Sequence, residues 1–462
     1  MTDTVCTAVP RETAKAKKSL ILLTLCLGVL IAQVDTSVVN LAMQPIGASF
    51  GASVSELQWV LDAYNLIYAA LLLTGGLVAD LYGRRRAFQT GAAILTVASI
   101  ACAAAGSVAF LIAARALAGI GSALLLPASL SIVRVVWVEQ YARRRALGVW
   151  ASCNGLAFVV GPSLGGVLIR YFGWPSVFTL AVPLALAALV LAALVVPESS
   201  DPKGRQFDLA GQVLGSVVLG GLVFAAIAWH SDKAPALIAL LIAVLSLPLF
   251  VWVERRADAA ALVPLVMFRN APFCGAVAAT AAMTFGAYGL IFLLPLLWQS
   301  SGLLSAQMAG LALMPCALAF FLVSPRSGHL AQYLGVRTMT AGGTALIGCG
   351  LLMLAATQGG APLILAESAL LVVGIGMGLN TGPLMSVAVD AVSAARSGTA
   401  SALINVARMA GATLGVAVLG TVFAIWHGGA EGLRAAMIVG GSVQLCGAAV
   451  ASATIRERNA VH

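Results

Sequence analysis

Polar positions are so sparse along this chain that its long apolar runs carry the first information. They recur at approximately 19–44, 57–80, 87–107, 108–134, 146–170, 176–196, 209–229, 234–253, 272–298, 306–326, 338–358, 362–388, 397–425 and 432–454. Each can form a helix across a hydrocarbon core that needs about 20 residues. The pattern predicts fourteen transmembrane helices. The run from Ala87 to Val133 is too long for one span and is divided at Gly106-Ser107. Ahead of the second segment, Ser53-x-x-Glu56 has the form of a helix capping box.

Composition agrees: of 462 residues, 61% are hydrophobic and only 9% charged, where a soluble chain carries about 25% charged. The chain reads as an all-α integral membrane protein. Its net charge of +9 would suit nucleic acid were it not so unevenly placed. With the N-terminus in the cytoplasm, 21 of the 26 Lys and Arg fall on the cytoplasmic side, and only Arg170, Lys233 and Arg434 fall outside. Arg115 and Arg408 lie within spans. That bias is the positive-inside rule, so both termini are expected in the cytoplasm and the charge is topological. Residues 1–18 lack a cleavable-signal pattern, so the first run reads as a retained helix. The eight cysteines form no C-x-x-C and read as small apolar side chains, with no metal site.

An internal repeat organises the spans. Gly76–Arg85, GLVADLYGRR, aligns with Gly328–Arg337, GHLAQYLGVR, sharing Gly, Ala, Gly and Arg at one spacing. Two related bundles with a site between them is transporter architecture. The expected division is 1–200 and 259–462 as six-helix bundles, with an extra helical pair at 201–258.

Three ionisable groups then stand out. Asp35 lies about 24 Å up the first helix from Ser19 at 1.5 Å per residue. Asp62 sits one to two turns from the outer end of the second helix, and Arg115 two turns into the fourth. All three share one depth in the outer half. A charge within the bilayer costs at least about 2.5–3.5 kcal/mol on insertion scales and marks a function or a pair. Burial disfavours an ionised carboxylate and a nearby guanidinium favours it, so an acid balanced between them can exchange a proton. Glu367, near the start of the twelfth segment, is the next candidate. Asn40 and Arg408 are intramembrane polar positions without an assigned role. Trp59, Tyr64, Tyr68, Phe158, Trp298 and Phe321 read as belt or core aromatics. Asp80 with Arg84 and Arg85 clusters where the second helix leaves the membrane, where Asp80 is placed to meet a neighbouring helix N-terminus. Gly161 and Gly165 put small surfaces on one face for close helix contact, and Pro162 bends the helix between them.

Several stretches resemble the fourteen-helix drug:proton antiporter branch of the major facilitator superfamily. VDTSVVNLAMQPI, from Val34, is similar to its first-helix signature, with Gln44 at the usual proline and Pro45 one residue late. GLVADLYGRRR resembles the superfamily loop motif containing Asp80, Gly83, Arg84 and Arg85, with Leu81 where Arg is common. RALAGIGSA from Arg115 resembles the helix 4 motif, with Ala118 for a usual Gln; Gly155–Gly166 resembles the antiporter motif of helix 5, and Gly398–Val418 the branch's helix 13. The resemblance implies a major facilitator fold of two six-helix bundles plus two helices, in a bacterial inner membrane. It implies export of lipophilic, cationic small molecules in exchange for protons by alternating access, through a monomer without a cofactor. Proton and substrate would compete for Asp35 and Asp62, with Asp80, Gly83, Arg84, Arg85, Gly161, Pro162 and Gly165 serving the conformational change. A metabolite symporter on the same fold is the alternative. A membrane enzyme on lipid-linked substrates finds no clustered catalytic set here, and no G-x-x-x-x-G-K-[ST] loop supports an ATP-driven pump.

Overall fold

Helices are the structure open to a backbone without water, because each satisfies its own amides and carbonyls, and a computed structural model shows helices throughout. It describes residues 11–200, 208–257, 261, 263–356, 363–392 and 396–455. Fourteen helices among these are long and apolar enough to cross a membrane. In chain order they are α1 Arg11–Phe50, α2 Val54–Tyr82, α3 Arg84–Ala103, α4 Val108–Val136, α5 Gln140–Phe172, α6 Ser176–Val195, α7 Leu209–Ala228, α8 Lys233–Ala257, α9 Ala271–Ser300, α10 Ala306–Leu334, α11 Val336–Ala356, α12 Leu363–Asp390, α13 Ser397–Ile425 and α14 Gly429–Thr454. Short breaks at Leu180 and Leu313 interrupt α6 and α10. Helix α1 continues through Pro45, five residues beyond Asn40, so the late proline lies inside the helix.

Side chains supply the stops. The expected box closes α2: the Ser53 amide donates to Glu56 at 2.8 Å, and the Glu56 amide donates to Ser53 Oγ at 3.3 Å. Ser107 caps α4 at the predicted division, and Asp208 caps α7 through the Gly211 amide at 2.7 Å. The repeat is visible in the backbone. One glycine joins α2 to α3 and one joins α10 to α11, Gly83 at φ +116° and Gly335 at φ +82°. Both turns need a positive φ that glycine adopts without strain.

Helices α1–α6 pack on one another, chiefly α2 and α3 on α4, α1 on α5 and α6, and α3 on α6; α9–α14 pack likewise. Close approaches are made through glycine. A Cβ on Gly75 would strike the Ala123 carbonyl of α4, and one on Gly415 the Phe285 carbonyl of α9. Helices α7 and α8 pair with each other, and α7 lies against both α2 and α13. Gln212 of α7 donates to the Ala70 carbonyl at 2.7 Å and bonds Thr74, while Thr421 of α13 donates to the Ala226 carbonyl at 2.7 Å. The outer surface of α8 is apolar and exposed along most of its length, as lipid contact requires.

Candidate functional site

Where the two sets of helices face each other, they enclose a cavity of about 1370 Å³, lined by α1, α2, α4, α5, α9, α10, α12 and α13. That exceeds the roughly 300–1,000 Å³ of common small-molecule sites. It opens at the end of the bundle that carries Arg84–Arg86, where its wall includes Asp80, Arg134, Asp390 and Arg396. The opposite end is closed by direct contact. Gln58 of α2 donates to the Val416 and Ala417 carbonyls of α13 at 2.9 and 2.8 Å, and Gln299 of α9 donates to Leu41 of α1 at 3.2 Å. Arg170 of α5 donates to Gln307 of α10.

Two of the three expected ionisable groups meet. Arg115 Nη1 donates to Asp35 Oδ2 at 2.5 Å, with Arg115 1% and Asp35 4% exposed. The guanidinium is held on all sides: its Nε donates to the Val60 carbonyl at 3.1 Å, and its Cζ lies 4.5 Å from the Tyr64 ring centre. Tyr64 donates to the Ala32 carbonyl at 3.1 Å and pairs with Ser122 at 2.7 Å. The pair thus rests on α1, α2 and α4. Asn40 is buried one turn further along and donates to the Thr36 carbonyl at 2.9 Å.

Asp62 does not join them. It is fully buried, and neither carboxyl oxygen has a hydrogen-bond partner among the described residues. One turn from Gln58, it lies on the face of α2 turned to α13. Gln58 Oε1 and Asn65 Oδ1 on the same stretch are also buried without partners. An isolated buried carboxyl is accommodated as the neutral acid, because an ionised one would cost many kcal/mol. Glu367 lies apart from all of these, half-buried near the start of α12.

Asp80 bonds the next turn, accepting from Arg84 Nε and Nη2 at 3.0 and 2.9 Å. A second acid, Glu198, stands at the N-terminus of α3. Its carboxylate accepts the Arg85 and Arg86 amides of α3 at 3.1 and 3.2 Å and lies 3.7 and 3.8 Å from their side chains. Glycines of the α5 motif divide by partner. Cβ atoms on Gly161 and Gly165 would strike Ser37 and Val38 of α1, whereas one on Gly166 would lie 2.8 Å from Gln307 Cα of α10. The Pro162 carbonyl abuts Gly310 of α10.

Three aromatics read as belt or core line the cavity: Tyr68, Phe158 and Phe321. Their helical spacing gives no sign of this, because the wall is assembled from eight helices. Arg408 lies on the same wall. Among the described residues no cluster of His, Cys, Asp and Glu could hold a metal ion.

Comparison with known proteins sets this geometry among relatives. A sequence model described as Major Facilitator Superfamily matches residues 25–416. The chain is 35% identical over 410 residues to the multidrug resistance protein Stp of Mycobacterium tuberculosis (strain CDC 1551 / Oshkosh), covering 87% of this chain and 75% of that one. It is 32% identical over 420 residues to the methylenomycin A resistance protein of Bacillus subtilis (strain 168), covering 89% of each. The crystal structure of the peptide transporter POT in complex with sulfate superposes with a TM-score of 0.70 over 94% of each chain, at 17% identity, a likeness of fold.

Proposed function

Because the chain belongs to the Major Facilitator Superfamily, we propose that it is a proton-driven exporter of lipophilic small molecules. The superfamily membership makes it a multi-pass membrane transporter. Both termini are cytoplasmic in the bacterial inner membrane, so the basic end faces the cytoplasm and the cavity is open inward. A monomer without a cofactor suffices. The kinship to the drug and antibiotic resistance proteins above supports export.

One observation carries the coupling: Asp35 and Asp62 are both sealed from the cavity and from the closed end, yet stand in different electrostatic surroundings. Asp35 is matched by the Arg115 guanidinium. Asp62 is unmatched, so its neutral form favours contact between α2 and α13 and its ionised form favours their separation. A proton taken from outside thereby helps close the outer end, and its loss reopens it. A proton can bias such an equilibrium only because it binds one conformer better than the other.

The experiment is transport by purified protein in vesicles with an imposed pH gradient, comparing wild type with Asp35→Asn and Asp62→Asn. Both variants are expected to insert, to bind cargo, and to lose accumulation against a gradient while keeping passive exchange. Concentrative transport by both variants at wild-type rates would remove the two acids from coupling and leave Glu367 to be tested.

A further inference from the structure

The deep end of the cavity carries a charge for which the coupling mechanism has no use. Arg408 lies twelve residues along α13 from Arg396 at the mouth, a rise of about 18 Å, which places it well inside the membrane. Its Nε is buried without a hydrogen-bond partner, and the guanidinium forms no ion pair among the described residues. Tyr68 and Tyr288 are close enough to interact with it electrostatically. Beside them Phe158 packs against Tyr288 and Phe320, with ring centres 6.4 and 5.5 Å apart. All of these residues are on the cavity wall. The acids on that wall, Asp80, Asp208 and Asp390, lie at helix ends near the mouth.

A guanidinium half-withdrawn from water and left without a counter-charge is unfavourable until an anion reaches it. We propose that this end of the cavity takes an aromatic organic anion. Its phenolate, carboxylate or sulfonate sits on Arg408 with the Tyr68 hydroxyl as a second donor, and its ring lies against Phe158, Tyr288 and Phe320. The assignment rests on the exporter reading and adds the charge of the cargo. A cation placed there would meet like charge, so the cationic cargo implied by the sequence resemblance does not suit this wall.

The test uses the full-length chain with two probes of matched ring and fixed opposite charge, 2-naphthalenesulfonate and trimethyl(2-naphthyl)ammonium. Naphthalene fluorescence reports binding in nanodiscs, and gradient-driven flux in proteoliposomes reports transport. Wild type is expected to bind the sulfonate at least about tenfold more tightly than the ammonium. Arg408→Gln should abolish that preference and Arg408→Lys restore part of it. Equal or reversed preference in wild type, or an unchanged preference in Arg408→Gln, overturns the proposal. Sulfonate binding without flux of either probe upholds the anion site and refutes export; ammonium flux without sulfonate binding does the reverse. Should Arg408→Gln fail to insert, the wild-type preference and its change in Arg408→Lys decide.

Discussion

At the scale of single residues, the Asp35–Arg115 pair shows why a buried charge is tolerated here. Each ion leaves water, but Arg115 also gains the Val60 carbonyl and the Tyr64 face, so little of its donor capacity is wasted. Removing one partner strands the other, at a cost of about 3–5 kcal/mol; removing both strands neither. In a double-mutant cycle read by denaturation in detergent, Asp35→Asn with Arg115→Gln should therefore be less destabilised than the two singles added together. Additive losses would show that the pair does not act as a unit. Glu198 offers a second residue test. Its carboxylate accepts two amides of α3, so Glu198→Ala should lower stability by about 1 kcal/mol. Asp80→Asn breaks a contact to Arg84 and should instead slow transport with the protein still inserted. Wild-type rates from Asp80→Asn would reduce its cluster to a topological anchor. Depth alone grouped Asp35, Asp62 and Arg115; which of them pair is set by the faces of α1, α2 and α4, and only Asp35 and Arg115 meet. Glu198 was not legible: it lies in the connection after α6, and only the folded chain brings it to the start of α3.

At the scale of elements, hydropathy located all fourteen membrane-length helices of the described residues, since a bilayer imposes one length and forbids unpaired backbone. Ends shifted where the backbone rather than hydropathy decides them, as at Phe50, five residues past Pro45, where Gly51 turns the chain at φ +63°. Partners were less legible. Three glycines of α5 look alike in sequence, yet Gly161 and Gly165 rest on α1 while Gly166 meets α10 across the closed end. Their substitutions should part accordingly. Gly165→Ala forces α1 and α5 apart within one half and should lower stability by roughly 1–3 kcal/mol, the usual cost of overpacking. Gly166→Ala burdens only the conformer in which α5 touches α10, so it should raise the population open at the end that this contact closes. Alkylation of a cysteine placed at Gln307 reads that population. Unchanged labelling in Gly166→Ala would show that the contact yields without opening.

For the whole molecule, sequence could not reveal which end is open, because both conformers are made by the same residues. Nor could it reveal the cavity wall, to which Arg408, Tyr68 and Phe158 come from three helices. Together they give a prediction about energy rather than about any one site. Export of a monovalent cation for one proton moves no net charge, so membrane potential should not drive it. Export of a monovalent anion for one proton moves two elementary charges inward in the positive sense. At about 2.3 kcal/mol per charge per 100 mV, a 100 mV potential negative on the cytoplasmic side contributes about 4.6 kcal/mol to each such cycle. Aromatic anions would then be exported against steep gradients even when the pH gradient is small. Proteoliposomes with a potassium diffusion potential set by valinomycin, and equal pH on both sides, isolate this term. Accumulation of 2-naphthalenesulfonate should rise with the imposed potential and collapse when the potential is dissipated, and Asp35→Asn should remove the response by uncoupling the cycle. Flux indifferent to potential in the wild type would mean that charge moves in balance, and that no anion leaves in exchange for a proton.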